Sequence, residues 1–467
     1  MKNFLYILAG VAFSGLAVSC KPTLDAPAPS TADLNFSRYV AVGDYNTAGF
    51  MNGGVSRESQ QTAYPAILAQ QFAAASGANI AFEQPYFSNG TQMVDLSFND
   101  AGIPVLSNTQ DLVNFLLAGC GATQQVFSDQ YSNSPAQTAS LQNLGVPGLK
   151  IMQVRLGGLG NDANVNNTNT PSQPAAYNPY FDRMLPAGDD RTYLDVVRNS
   201  KATFFTMWIG MADVINYAMS GASCGRLPST TEFNTEAFNL IDSLSGSGKR
   251  YGVICNIPSV KYLGLPNPLD VQRKYQQQRN DANLKIWVKA LKIYNAPSAG
   301  YDTVAVTSSD FITPTGLSRL GINEQITVNG ATFTLPHGLD KRNPLTESEV
   351  LDSKEADFLE SRISVNKPSY NGILDTLANS KKSKFYGKVA LASMQQLYGT
   401  LQNGVNYNGV VYSLTPVSGG FYSYDYFSPT PRGQAIIANK IIQTINQNFG
   451  TNIFEVNANS YPAFKHP

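Results

Sequence analysis

Apolar residues recur along the chain in short unbroken runs that alternate with stretches of helical period. Tyr39 to Val42, Lys150 to Val154, Phe204 to Ile209 and Tyr251 to Asn256 read as buried strands, whereas Ala63 to Ala75, Met211 to Met219 and Val271 to Tyr294 read as helices. Strands alternating with helices predict a parallel sheet covered on both faces. Two Asn-Gly pairs, Asn329-Gly330 and Asn408-Gly409, sit inside alternating apolar runs and predict tight hairpins that decorate the sheet. The last helix is the best marked. Thr430 is placed to cap it and Pro431 to open it; Ile437, Ile441, Ile445 and Phe449 form its stripe, and Gly450 stops it. The Asn-rich stretch from Asn161 to Asn169 predicts a surface excursion. With 467 residues the chain is long enough for two domains, but this pattern favours one heavily decorated α/β domain over 36–458 and a short tail over 459–467.

The N-terminus changes the picture by fixing a compartment. Lys2 precedes an uncharged apolar run from Phe4 to Val18, which ends in small residues before Cys20. That run suits a signal peptide over 1–19 and is too short to cross a bilayer securely. Cys20 is similar to the cysteine that receives lipid in exported lipoproteins, and residues 21–32 are a Pro/Ala/Ser tether within a flexible segment over 20–35. The expected location is the cell envelope, with the domain anchored to the outer membrane through Cys20. Lys plus Arg number 33 and Asp plus Glu 33, with no basic run, so nucleic-acid binding is not expected. Cys120, Cys224 and Cys255 have irregular spacing and no histidine nearby, which argues against a metal site and implies no cofactor. Buried free thiols are the expectation for them, and one disulfide is the alternative.

Four sequence blocks then carry a family resemblance. FSRYVAVGDYNTAGF, Phe36 to Phe50, resembles the first block of the SGNH/GDSL hydrolases, in which a strand ends in Gly-Asp-Ser and the serine is the nucleophile; here Tyr45 holds the serine position. NLGVPG, Asn143 to Gly148, is similar to the second block and keeps its oxyanion glycine as Gly148. TFFTMWIGMAD, Thr203 to Asp213, resembles the block that normally reads Gly-x-Asn-Asp, with Ala212 in place of the asparagine. Asp425 to Pro429 resembles Asp-x-x-His-Pro, with Ser428 in place of the histidine. The resemblance implies a flavodoxin-like three-layer α/β/α sandwich with a central parallel sheet and long inserted loops and hairpins. It points to the lipoprotein branch found in Bacteroidota envelopes, for which an outer-membrane β-barrel partner is conceivable.

Acyl transfer in that family needs a hydroxyl activated by an imidazole, a carboxylate that holds the imidazole, and donors aimed at the oxyanion. Loss of nucleophile or base alone in such a unit costs about a million-fold in turnover. A tyrosine nucleophile needs a cationic or basic neighbour, and no lysine, arginine or histidine is adjacent to Tyr45 in these blocks. His337 and His466 lie outside every block and read as surface residues. Tyr45 is therefore expected to fill the space of an acyl group. Asp44, Tyr45, Met211, Tyr426 and Phe427 are expected to converge at the strand ends as a platform for a glycan or acyl ligand, with core packing as the alternative for Met211 and Phe427. The leading functional reading is a non-catalytic ligand-binding or interaction subunit. An esterase or acetyl-hydrolase acting through Tyr45 or Ser428 is the alternative, and a purely structural part of a larger assembly is the third.

Overall fold

Five strands carry the fold: β1 (Tyr39–Gly43), β2 (Asn143–Gly145), β3 (Phe204–Trp208), β4 (Tyr251–Cys255) and β5 (Val389–Ala392). All pair in parallel, in the order β5-β4-β3-β1-β2. This 2-1-3-4-5 order is that of the flavodoxin-like doubly wound sheets. The computed structural model describes residues 28–117, 122, 124–166, 176–224, 226–291, 300–366 and 368–463. The signal peptide, Cys20, Cys120 and His466 lie outside them. Among the described residues no helix is long and apolar enough to cross a membrane.

The strands are apolar because both of their faces are covered. On one face Tyr39 and Phe204 pack against Phe72 of helix α1 (Tyr64–Ser76). Phe205 and Met207 point to the other face and are buried as well. That layer holds α2 (Tyr193–Asn199), α3 (Met211–Met219), α4 (Thr230–Ser245) and α5 (Tyr370–Asn379), while α6 (Pro431–Phe449) lies against α1. α6 begins and ends where its sequence directs: the Thr430 hydroxyl accepts from the Gly433 N–H, Pro431 opens the helix, and Gly450 closes it. Ser30 pairs with Asn452, so the ordered domain begins before residue 36 and the N-terminal segment leaves beside the C-terminus of α6.

Three expectations need correction. Lys150 to Val154 is not a strand: Ile151–Gln153 is a turn of 3-10 helix, and the sheet is extended instead by the shorter Asn143–Gly145. The helix expected over Val271 to Tyr294 spans Pro268–Arg279 and stops at Asn280, which adopts the left-handed conformation; the chain then turns into a hairpin of Trp287–Leu291 with Tyr301–Ala305. Cys224 is disulfide-bonded, to a partner outside the described residues, and Cys255 remains a buried free thiol. Both Asn-Gly hairpins form, Asn323–Val328 with Ala331–Pro336 and Val405–Tyr407 with Val410–Tyr412.

His337 also departs from expectation, since it is buried at the foot of the first of these hairpins and only 2% exposed. Its Nε2 lies 2.8 Å from Glu349 Oε2 and its Nδ1 3.1 Å from Asn343 Oδ1. Burial disfavours the charged ring, but the bonds to Glu349 and Asn343 outweigh it and raise its pKa above the usual histidine value. Arg319 bridges Glu349 and Glu324 beside it, so the insert is tied together by ionic groups.

Candidate functional site

The four resembling blocks meet at the carboxyl edge of the sheet, where folds of this order place their ligand sites. β1 ends at Gly43, and Asp44 leads directly into the helical turn Tyr45–Ala48. β3 ends at Trp208, and α3 starts after Gly210. The loop carrying Asp425 and Ser428 runs straight into α6. The fold thus brings Tyr45, Gly148, Ala212, Asp425 and Ser428 into one neighbourhood.

That neighbourhood is filled. The Tyr45 side chain is 1% exposed, and its hydroxyl donates to Asn216 Oδ1 at 2.6 Å. Its ring centroid lies 5.0 Å from Phe50, 5.1 Å from Phe427 and 6.2 Å from Phe115. Gly148 has φ +70°, which favours glycine, and a Cβ there would stand 2.5 Å from the Phe115 ring. Phe115 therefore covers the residue that would present an oxyanion donor. The Ala212 N–H is engaged too, donating to Asp44 Oδ2 at 2.9 Å. The platform residues Asp44, Tyr45, Met211, Tyr426 and Phe427 are 0%, 1%, 5%, 1% and 2% exposed, so in this conformation they are core and offer no surface to a ligand.

The remaining acid–base parts are equally committed. Asp425 accepts backbone N–H bonds from Gly53 (2.9 Å), Phe427 (3.1 Å) and Ser428 (2.8 Å), which occupy the carboxylate that would otherwise orient an imidazole. Burial still raises its pKa against those donors. The Ser428 hydroxyl is buried beside the Asp425 carboxylate, which is already engaged by three backbone N–H groups. Tyr45 is held well above its ordinary pKa, first by burial and then by Asp44, Tyr180 and Asp425. A nucleophilic phenol needs a cationic or basic partner, and the titratable groups acting on this one are acidic.

Beneath the plug lie two further carboxylates. Burial pushes Asp44 up to about 8 and Asp213 up to about 7, and each keeps one oxygen without a hydrogen-bond partner. The Lys150 ammonium is also buried, which lowers its pKa, while Asp213 opposes the shift. These groups sit under the strand ends and none reaches solvent.

Two open spaces flank the plug. A cleft of about 230 Å³ is bordered by Phe115, Phe127, Tyr180, Asn114, Gln124 and Asp111. A groove of about 630 Å³ runs past Asn52, Arg57, Met93, Tyr424 and Pro431. Sequence reasoning missed Asn216, Phe50, Phe115 and Gly53. A signal existed only for Asn216, one helical turn beyond Ala212 and so on the same face of α3. Comparison of the chain with protein-family models, with curated proteins and with solved structures gives no match to any of them.

Proposed function

We propose that this chain is a catalytically silent lipoprotein of the SGNH/GDSL hydrolase type, anchored in the bacterial outer membrane through Cys20, that binds a ligand or partner without cutting it. The observation that carries this reading is the state of Tyr45: a buried phenol bonded to Asn216, ringed by aromatic side chains and acted on by acidic groups. The flavodoxin-like strand order and the meeting of all four blocks at its carboxyl edge support the family part of the reading. Ligand binding then falls to the open spaces beside the plug, with a glycan or an acyl group as the class of ligand and a β-barrel of the outer membrane as the class of partner.

The anchor fits that arrangement. α6 starts at the candidate site and its 19 residues carry the chain about 28 Å away, to the edge where Ser30 meets Asn452. The candidate site and the first described residues thus lie toward opposite ends of α6, which suits a tether that leaves the site clear. Two measurements test the proposal. Mass spectrometry of the envelope form should find diacylglyceryl on Cys20, and a fluorophosphonate probe should leave the folded protein unlabelled. A labelled Ser428 would replace this reading with that of an unconventional esterase.

A further inference from the structure

We propose that the cleft bordered by Phe115, Phe127 and Tyr180 binds a neutral carbohydrate; the inference rests on the ligand-binding reading above and names the site and class of ligand. Three rings form its apolar wall, with Tyr180 edge-on to Phe115 at 5.2 Å and to Phe127 at 5.0 Å. The rest of its lining is largely polar, with the carboxamides of Gln92, Asn114, Gln124 and Gln125 and the carboxylate of Asp111. A carboxamide both donates and accepts, as does a sugar hydroxyl, while an aromatic face accepts the C–H side of a pyranose ring. No lysine, arginine or histidine is among the described residues that line the cleft, which disfavours a phosphate or carboxylate ligand. Its volume of about 230 Å³ lies below the roughly 300–1,000 Å³ of sites for drug-sized ligands, so it suits one sugar ring and not a lipid chain.

The polar groups are held in place before any ligand arrives. Gln124 is 8% exposed and its Nε2 donates to the Asn114 carbonyl at 2.8 Å. Gln110 Nε2 donates to Asn114 Oδ1 at 2.8 Å, which turns the Asn114 NH2 into the free end of that amide. The ring wall is fixed as well, because Phe115 sits over Gly148 and against Tyr45 and Phe50. The packing that closes the hydrolytic site therefore builds one wall of the cleft, and little ordering is left for a ligand to impose.

The test uses the full chain and titration calorimetry with maltotriose, mannotriose, xylotriose and N,N′,N″-triacetylchitotriose, with choline chloride as a cationic probe for the rings and Asp111. At least one saccharide should bind, and Phe127→Ala and Asn114→Ala should each weaken it tenfold or more, while Phe238→Ala on a remote surface leaves it unchanged. Asp111→Asn keeps the shape and should reduce saccharide affinity only a few-fold. The inference is overturned if no saccharide binds the folded wild type, if binding ignores both substitutions, or if choline alone binds and Asp111→Asn abolishes it. Saccharide binding that ignores both substitutions places the ligand elsewhere, which sinks the cleft and spares the non-catalytic reading. Turnover of an acetylated saccharide would sink the non-catalytic reading alone.

Discussion

Replacing Tyr45 tests the plug on which the rest depends. Tyr45→Ser restores the residue of the resembling family but removes a ring packed at 5.0 Å from Phe50 and 5.1 Å from Phe427. Truncating a buried aromatic side chain costs about 3–5 kcal/mol. Tyr45→Phe isolates the hydroxyl: it leaves Asn216 Oδ1 buried without its donor, at a cost of about 1–3 kcal/mol. Native domains hold roughly 5–15 kcal/mol, so both variants should fold, with the serine variant clearly the weaker. Equilibrium urea unfolding followed by circular dichroism reads both losses. A loss below about 1 kcal/mol for Tyr45→Ser would refute the packing described here, because an aromatic ring in a well-filled core cannot be removed so cheaply. A larger loss for Tyr45→Phe than for Tyr45→Ser would refute it too, by assigning the stability to the hydroxyl alone.

Other predictions follow from the charged groups and the thiol. Burial pushes Asp44 up to about 8 and Asp213 up to about 7 in the fold, against about 3.9 unfolded, so the native state binds extra protons between those values; stability should fall as pH rises from about 4 and level off above about 8. His337, raised above its usual value, adds stability that is fully present below its unfolded pKa and fades in the same direction, whereas Glu349, held low against burial by its bond to His337, loses its contribution as pH drops below the ordinary carboxylate range. Melting temperature should therefore peak at acid pH, and Asp44→Asn should flatten the decline between about pH 4 and 8; an unchanged slope in that variant removes Asp44 as its source. His337→Leu removes one partner of the buried Glu349 carboxylate, which keeps Arg319 and Thr346, and should cost about 1–3 kcal/mol, seen as faster proteolysis within 311–352. Cys255 is buried and its thiol pKa is pushed up by that burial, so iodoacetamide should modify it only after unfolding; rapid alkylation of the native protein would contradict its placement.

Much of the scaffold was legible because its elements are strongly patterned. β1, β3, α3 and α6 fall where apolar runs, caps and stops place them. β2 was not, since it is three residues long and its Asn143 bonds Thr47 and Gln84 instead of showing an apolar side chain. The apolar run just after it is buried for another reason: its 3-10 turn packs against α4. β5 is four residues long and follows the lysine-rich 381–388, which hides it. At the site, Tyr45, Ala212 and Ser428, which stand where the resembling family has serine, asparagine and histidine, could be read from single positions. The filling could not, because Phe115 reaches Gly148 and Tyr45 only through the tertiary fold. His337 was misread for the same reason, its partners Glu324 and Glu349 being brought to it by the hairpin and the turn that follows.

Ester turnover by the wild-type chain, measured beside Tyr45→Phe and Ser428→Ala with p-nitrophenyl acetate, bears most directly on the proposal that the hydrolase-like site is shut. The predicted rate is the same background for all three proteins. A wild-type rate well above that background, lost in either variant, would show a working nucleophile and contradict the account.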